Sequence, residues 1–326
     1  MNKTELKRKA IEEIDKRRFN AEQEAKTRAE KIENEIPEIV EIRRMLTQTA
    51  AQLSMDIVRR NKGYESNFEK IKKNSLEGQQ MIKNLLRGKG YPEDYLDVQY
   101  RCKICNDTGY VDGKPCECLN RLTLRYAAEE LNRSANMPLA DFNHFNLEYY
   151  RGITFEGTDS FIKMKENYSY CLNYAAEFSR ESGNILMYGP TGVGKTHLSM
   201  AIAKELTAKG FNVIYGSVIN ILQAVENEHF GRAVKGTDTL STLFESDLLI
   251  LDDLGAEHDT PFNEMTLYNI INTRINTGSP FVISTNIMPD TFAERYNERI
   301  ISRLMCSSKR LLFVGNDIRQ LKRMGQ

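Results

Sequence analysis

The sequence predicts an α/β fold, a parallel β-sheet covered by helices on both faces, preceded by a helical arm and a small cysteine-rich module. Three observations predict it. From about Gly183 onward, short apolar runs alternate with helix-forming stretches, the pattern of buried strands joined by crossover helices. The first ninety or so residues are rich in Glu, Lys, Arg, Ala and Ile and hold no glycine before Gly63, a composition that favours helix. Between them, Arg101 to Leu119 hold four of the chain's six cysteines.

The arm, residues 1–95, places Leu6, Ile14, Ala21, Ala25, Ile32, Ile36 and Ile39 at irregular helical spacing. Pro37 begins a second helix, Asn61-Lys62-Gly63 breaks it, and Glu65 to Arg87 forms a third. Such a segment is a small bundle or coiled arm, and a partner-docking surface is compatible with either. Gly88-Lys89-Gly90-Tyr91-Pro92 is a hinge into the cysteine module, residues 96–135, which ends in a helix from Asn120 to Arg133. The α/β domain is residues 136–326. Its strands are Ile185–Tyr188, Asn212–Tyr215, Leu248–Leu251, Phe281–Ser284 and Arg310–Val314.

Charge and hydropathy exclude several classes. The 326-residue chain balances 45 Lys and Arg against 45 Asp and Glu, so a globally basic nucleic-acid coat is ruled out and only a local patch is left. Residues 1–95 carry 21 basic and 17 acidic side chains. No apolar run reaches the length of a membrane span, and Met1 to Asp15 lacks an apolar signal core. The expected location is the cytosol. There, clustered cysteines point to metal before disulfide.

The strongest motif is Gly189-Pro190-Thr191-Gly192-Val193-Gly194-Lys195-Thr196, a phosphate-binding loop at every fixed position. An apolar strand precedes it and a helix from His197 to Lys209 follows. Glycines let the backbone approach phosphates, and the helix N-terminus adds partial positive charge. Lys195 is expected to reach the β- and γ-phosphates of ATP, and the Thr196 hydroxyl to bind Mg²⁺.

The run Leu248-Leu249-Ile250-Leu251 ends in Asp252-Asp253, with carboxylates at the strand end where ligands sit in open parallel sheets. Asp252 fits the Mg²⁺ side. Asp253 is placed to orient or deprotonate water, or else caps the Leu254-Gly255 turn. Glu257, past a glycine turn, is a weaker base candidate. A third strand ends in Thr285-Asn286; Asn286 can meet the γ-phosphate or the water, or serve as a turn residue. In Glu298-Arg299-Ile300-Ile301-Ser302-Arg303-Leu304, Arg299 and Arg303 share one helix face. From there either could reach a neighbouring subunit's nucleotide.

These motifs, in this order, resemble the bacterial helicase-loader ATPases of the DnaC/DnaI type, members of the AAA+ class related to the transposition helper IstB. The resemblance covers roughly Phe142 to the end. It implies an AAA+ core and an ATPase that engages a hexameric replicative helicase and places it on single-stranded DNA, with self-association through the ATPase domain. It also implies that Asn286 is the first sensor, Arg303 the arginine finger with Arg299 as alternative, and Arg319 a second sensor. Little chain follows Val314, so a truncated lid is expected.

Cys102-x-x-Cys105 and Cys116-x-Cys118 flank a ten-residue bend containing Gly109 and Gly113. Four soft ligands suggest structural Zn²⁺, with an iron–sulfur cluster as the rival occupant. For DNA contact, Lys204, Lys209, Arg232 and Lys235 could line a channel, a solvated helix face being the competing reading. Tyr149 and Tyr150 lie near the adenine or pack in the core. The competing functions are a transposition helper on duplex DNA and a nucleotide-switched adaptor with little hydrolysis.

Overall fold

In a computed structural model, the chain is described over residues 2–58, 64–135, 137–234, 236 and 238–323, with side chains outside 52–70 and 322. Contacts divide it into two units, Ile11–Cys116 and Met1–Ala10 with Glu117–Gln326.

The first unit is built on helices α1 (Lys3–Glu35), α2 (Pro37–Val58) and α3 (Tyr64–Gly88). Pro37 opens α2, where its missing N–H costs nothing. The predicted break at 61–63 lies outside the described residues. Ile32, Ile36, Ile39 and Leu86 form a buried cluster against Tyr91, Tyr95 and Leu96. Arg28 fastens the segment after α3 by donating to the carbonyls of Tyr95 at 2.9 Å and Asp97 at 3.0 Å. A Cβ at Gly78 would lie 2.9 Å from Leu46 Cδ2, so the glycine permits close approach of α2 and α3. Strands β1 (Tyr110–Val111) and β2 (Lys114–Pro115) form a hairpin. Its Asp112-Gly113 turn has φ of 50° and 75°, as a two-residue hairpin turn requires.

In the second unit, α4 (Glu117–Ala135) precedes a short hairpin of β3 (Thr154–Phe155) and β4 (Thr158–Asp159). Then follow α5 (Ser160–Ala176), β5 (Asn184–Tyr188), α6 (Lys195–Ala208), β6 (Val213–Ser217), α7 (Val218–His229) and α8 (Thr239–Glu245). The chain continues with β7 (Leu248–Leu254), α9 (Pro261–Asn276), β8 (Phe281–Thr285), α10 (Glu298–Ser307), β9 (Ser308–Leu312) and α11 (Ile318–Arg323). The five long strands pair in parallel in the order β6-β7-β8-β5-β9. The predicted α/β sheet is thus present, and all five predicted strands are in it. Ile185, Met187, Ile250 and Val282 pack into one core layer. Leu186, Leu249, Leu251 and Ile283 pack into the layer on the other face. That alternation is why these strands read as continuous apolar runs.

Parallel pairing brings the ends of β5, β7 and β8 to one edge, so Gly189, Asp252-Asp253 and Thr285-Asn286 converge there. The edge strand β6 is covered by α4: Asn132 donates from Nδ2 to Val213 O at 2.8 Å and accepts from Tyr215 N at 2.9 Å. One side chain thereby satisfies two ladder groups that would otherwise be left open. After β9, the described residues add the six-residue α11. No helix among the described residues is long and apolar enough to cross a membrane.

Candidate nucleotide site

The phosphate loop links β5 to α6, with Gly194 at the N-cap of α6. Its glycines have two separate reasons to be glycine. Gly189, Gly192 and Gly194 have φ of 137°, 76° and 94°, a region that side chains disfavour. Each is also pressed by a neighbour. A Cβ would lie 2.1 Å from Phe313 O at Gly189, 2.0 Å from Asp317 Oδ1 at Gly192, and 2.8 Å from Phe145 Cε2 at Gly194.

Lys195 is buried at the base of the loop. Its Nζ donates to Gly189 O at 2.7 Å, Pro190 O at 2.6 Å and Asn286 Oδ1 at 2.7 Å. Burial pushes the ammonium down to about 8, against the opposing pull of Asp253 and Asp252. Asn286 donates in turn from Nδ2 to Asp253 Oδ1 at 2.5 Å. The Thr196 hydroxyl donates to Asp252 Oδ2 at 2.9 Å, and the Ser284 hydroxyl to Asp252 Oδ1 at 2.6 Å. Burial raises the Asp252 carboxyl above its usual range, and those two hydroxyls pull it back.

The two acids differ because the strand is irregular there. Pairing of β7 with β8 shifts register between Leu251 and Leu254, and Asp253 has φ of 62°. The bulge turns consecutive carboxylates in different directions. Asp252 stays buried against Thr196, while Asp253 faces the pocket. The N–H of Asp253 donates to Ser284 Oγ at 3.0 Å, so Ser284 spans both residues. Ser284 was legible only as a strand residue; its role depends on pairing with β7.

The pocket, about 280 Å³, is lined by Thr191, Gly192, Gly194, Lys195, Thr196, Asp252, Asp253, Ser284 and Asn286. Its other wall is His144, Phe145, Asn146, Tyr149, Tyr150, His197, Ile318 and Arg319. Tyr149 and Tyr150 are thus both at the site. Tyr150 is also core, fully buried and donating to Val193 O at 3.0 Å. Phe145 stacks on Tyr150 with centroids 5.8 Å apart and meets His197 edge-on at 5.4 Å. Sequence reading missed His144, Phe145 and Asn146, which carry no spacing signal.

Other candidates lie elsewhere. Arg299 and Arg303 sit on α10 and do not line this pocket. Arg303 donates from Nε to Asn272 Oδ1 at 2.8 Å, with its guanidinium 4.9 Å from the Tyr268 ring centre. Glu257 accepts from Gly255 N at 2.9 Å and Tyr296 OH at 2.5 Å, a buried structural network. Of the suggested channel lysines, Lys204 is paired with Asp141 and Lys209 donates to the carbonyls of Ala175 and Ala176. Lys235 lies outside the described residues.

The Sγ atoms of Cys102, Cys105, Cys116 and Cys118 all lie within 4.8 Å of one another, and those of Cys102 and Cys116 are 3.9 Å apart. Thiolates at about 2.3 Å from a tetrahedral zinc stand about 3.8 Å apart, so the donor set fits that ion. The buried Asp107 carboxylate accepts from the N–H groups of Arg101 at 2.7 Å and Cys102 at 3.0 Å. Cys116 N–H donates to Gly109 O at 2.8 Å, fixing the second limb.

Over residues 171–322 the chain matches the family described as IstB-like ATP binding protein. It is 25% identical over 131 residues to the replicative helicase loader DnaC of Escherichia coli, covering 40% of this chain and 54% of that protein. It is 26% identical over 148 residues to a putative ATP-binding protein in an insertion sequence of Mycobacterium tuberculosis, covering 44% and 58%. The chain thus spans just over half the length of these curated relatives. A crystal structure of the DnaC helicase loader aligns with a TM-score of 0.44 at 23% identity, over 53% of this chain and 98% of that one. Residues 171–322 thus match the IstB-like ATP binding protein family, and the chain is similar to a helicase loader and to an insertion-sequence ATP-binding protein.

Proposed function

We propose that the chain is an ATP-dependent loader that binds a hexameric replicative helicase in the cytosol and places it on single-stranded DNA. The observation that carries the ATPase part is the joined set Lys195–Asn286–Asp253 and Thr196–Asp252–Ser284. A switch that only binds nucleotide has no need for a polarised carboxylate beside the γ-phosphate position.

In this reading the loop N–H groups and Lys195 hold the phosphates. Thr196 and Asp252 would hold Mg²⁺, which suits hard oxygen donors and whose charge offsets that of the phosphates. A cation there also relieves the burial of Asp252. Asp253 orients the attacking water and accepts its proton, and Asn286 keeps the Asp253 carboxylate turned toward it. Arg303, which does not line its own chain's pocket, serves a neighbouring copy's nucleotide, with Arg299 as alternative. The cysteine cluster holds structural Zn²⁺. The helical unit and this module dock the helicase, which gives a loader a partner-binding portion ahead of its motor.

The insertion-sequence relative favours a second reading, a transposition helper assembling on duplex DNA. Light scattering of the full chain mixed with its host's replicative helicase, with and without ATP and Mg²⁺, separates the two. A stable mixed complex supports the loader. Absence of a complex in every nucleotide state sinks it.

A further inference from the structure

The tail after β9 bears directly on the phosphate loop. Ile318 N–H donates to Gly192 O at 3.1 Å. The Asp317 carboxylate lies so close to Gly192 that an added Cβ would be 2.0 Å from Oδ1 and 2.2 Å from Cγ. The same Oδ1 accepts from Arg319 N–H at 2.9 Å, and Asp317 O accepts from the N–H groups of Gln320 and Leu321. Upstream, Gly315 has φ of 128° and lies against the Tyr150 ring, where a Cβ would come within 2.8 Å. Tyr150 in turn holds Val193 O of the loop. Residues 315–319 are therefore a strap seated on the loop's outer side, and beyond its seat Ile318 and Arg319 line the pocket.

We propose that Asp317 is the positioning residue that seats this strap on the phosphate loop and thereby holds Arg319 against the bound nucleotide. The inference rests on reading the pocket as an ATP site. Asp317 has two jobs for one oxygen: packing on Gly192 and fixing the Arg319 backbone. An exposed arginine on a short tail otherwise samples many rotamers, and holding it in place beforehand lowers the entropy lost on binding. Gly192 is then constrained twice, by its φ and by the carboxylate outside it.

The test is a double-mutant cycle on the full chain, with affinity read from a fluorescent ATP analogue in the presence of Mg²⁺. Asp317→Ala and Arg319→Ala should each weaken binding about tenfold, the scale of a lost charge-assisted contact. The double variant should be no weaker than either single one, because both remove the same contact. Asp317→Asn keeps the acceptor oxygen and should bind within about threefold of the unaltered chain. A role for Asp317 that does not act through Arg319 would give penalties that add. Unchanged affinity in Asp317→Ala, or additive losses, would overturn the proposal. Failure of the unaltered chain to bind the analogue at all would instead overturn the nucleotide site, and the proposal with it.

Discussion

Lys195 donates to Asn286 Oδ1 at 2.7 Å, which joins the base of the phosphate loop to the tip of a different strand. Asn286 passes the link on to Asp253. On the proposed reading a γ-phosphate would compete for Lys195, which would link nucleotide occupancy to the posture of Asp253 through one amide. Asn286→Ala should lower single-turnover hydrolysis by about 10- to 100-fold while leaving ATP affinity within about threefold. A purely structural amide would show the reverse, with weakened binding and normal turnover.

Asp253→Asn is the cleanest probe of the base. The position has a left-handed backbone that Asn tolerates well, so folding should persist. ATP binding should remain, and hydrolysis should fall by about 10²- to 10⁴-fold. Normal turnover in this variant would show that the water is activated by another group.

Lys195 sets a pH dependence. Burial brings it from an ordinary 10.5 down to about 8. Only the charged amine attracts phosphate, so ATP affinity should fall as pH rises through about 8, by up to about tenfold per unit beyond it. The sign for stability is opposite. Between about pH 8 and 10.5 the unfolded chain binds more protons at this group, so its contribution to stability rises with pH. Titrating affinity from neutral to strongly alkaline pH checks this; a flat profile would mean that Lys195 stays charged.

Arg303 is held at the surface by Asn272 and Tyr268, away from its own chain's pocket. Arg303→Ala should therefore bind ATP normally and hydrolyse it poorly. Mixing it with Asp253→Asn should recover part of the activity, because an intact pocket then meets an intact arginine. If the mixture is no more active than its components, Arg303 does not act between copies.

The cysteine cluster should carry about one zinc per chain. Cys105→Ser or Cys116→Ser should lose the metal while ATP affinity stays within about twofold, since the ligands lie outside the nucleotide pocket. Iron and sulfide in the purified protein would replace zinc with a cluster.

What was legible in the sequence was local or periodic. The strands announced themselves because Leu248–Leu251 and Phe281–Ser284 are buried on both faces, and the loop because phosphate binding demands glycines at fixed spacing. The cysteines were legible because all four fall within seventeen residues. What was hidden depends on distant pairing. Asn132 looks like any helix polar residue until it meets β6, some eighty residues on. Ser284 matters because a bulge in β7 puts two acids beside it. Phe145 and Asp317 press on the loop from opposite ends of the domain, and neither belongs to a motif.

The most decisive measurement is loading itself. The host's replicative helicase is incubated with closed circular single-stranded DNA, with and without the full chain, ATP and Mg²⁺, and helicase bound to the circles is counted. A ring cannot thread onto DNA that has no end unless something opens it. The loader reading predicts bound helicase only when the chain and ATP are present, and none with Lys195→Ala. Circles left bare in every condition, with the chain instead coating duplex DNA, would contradict it.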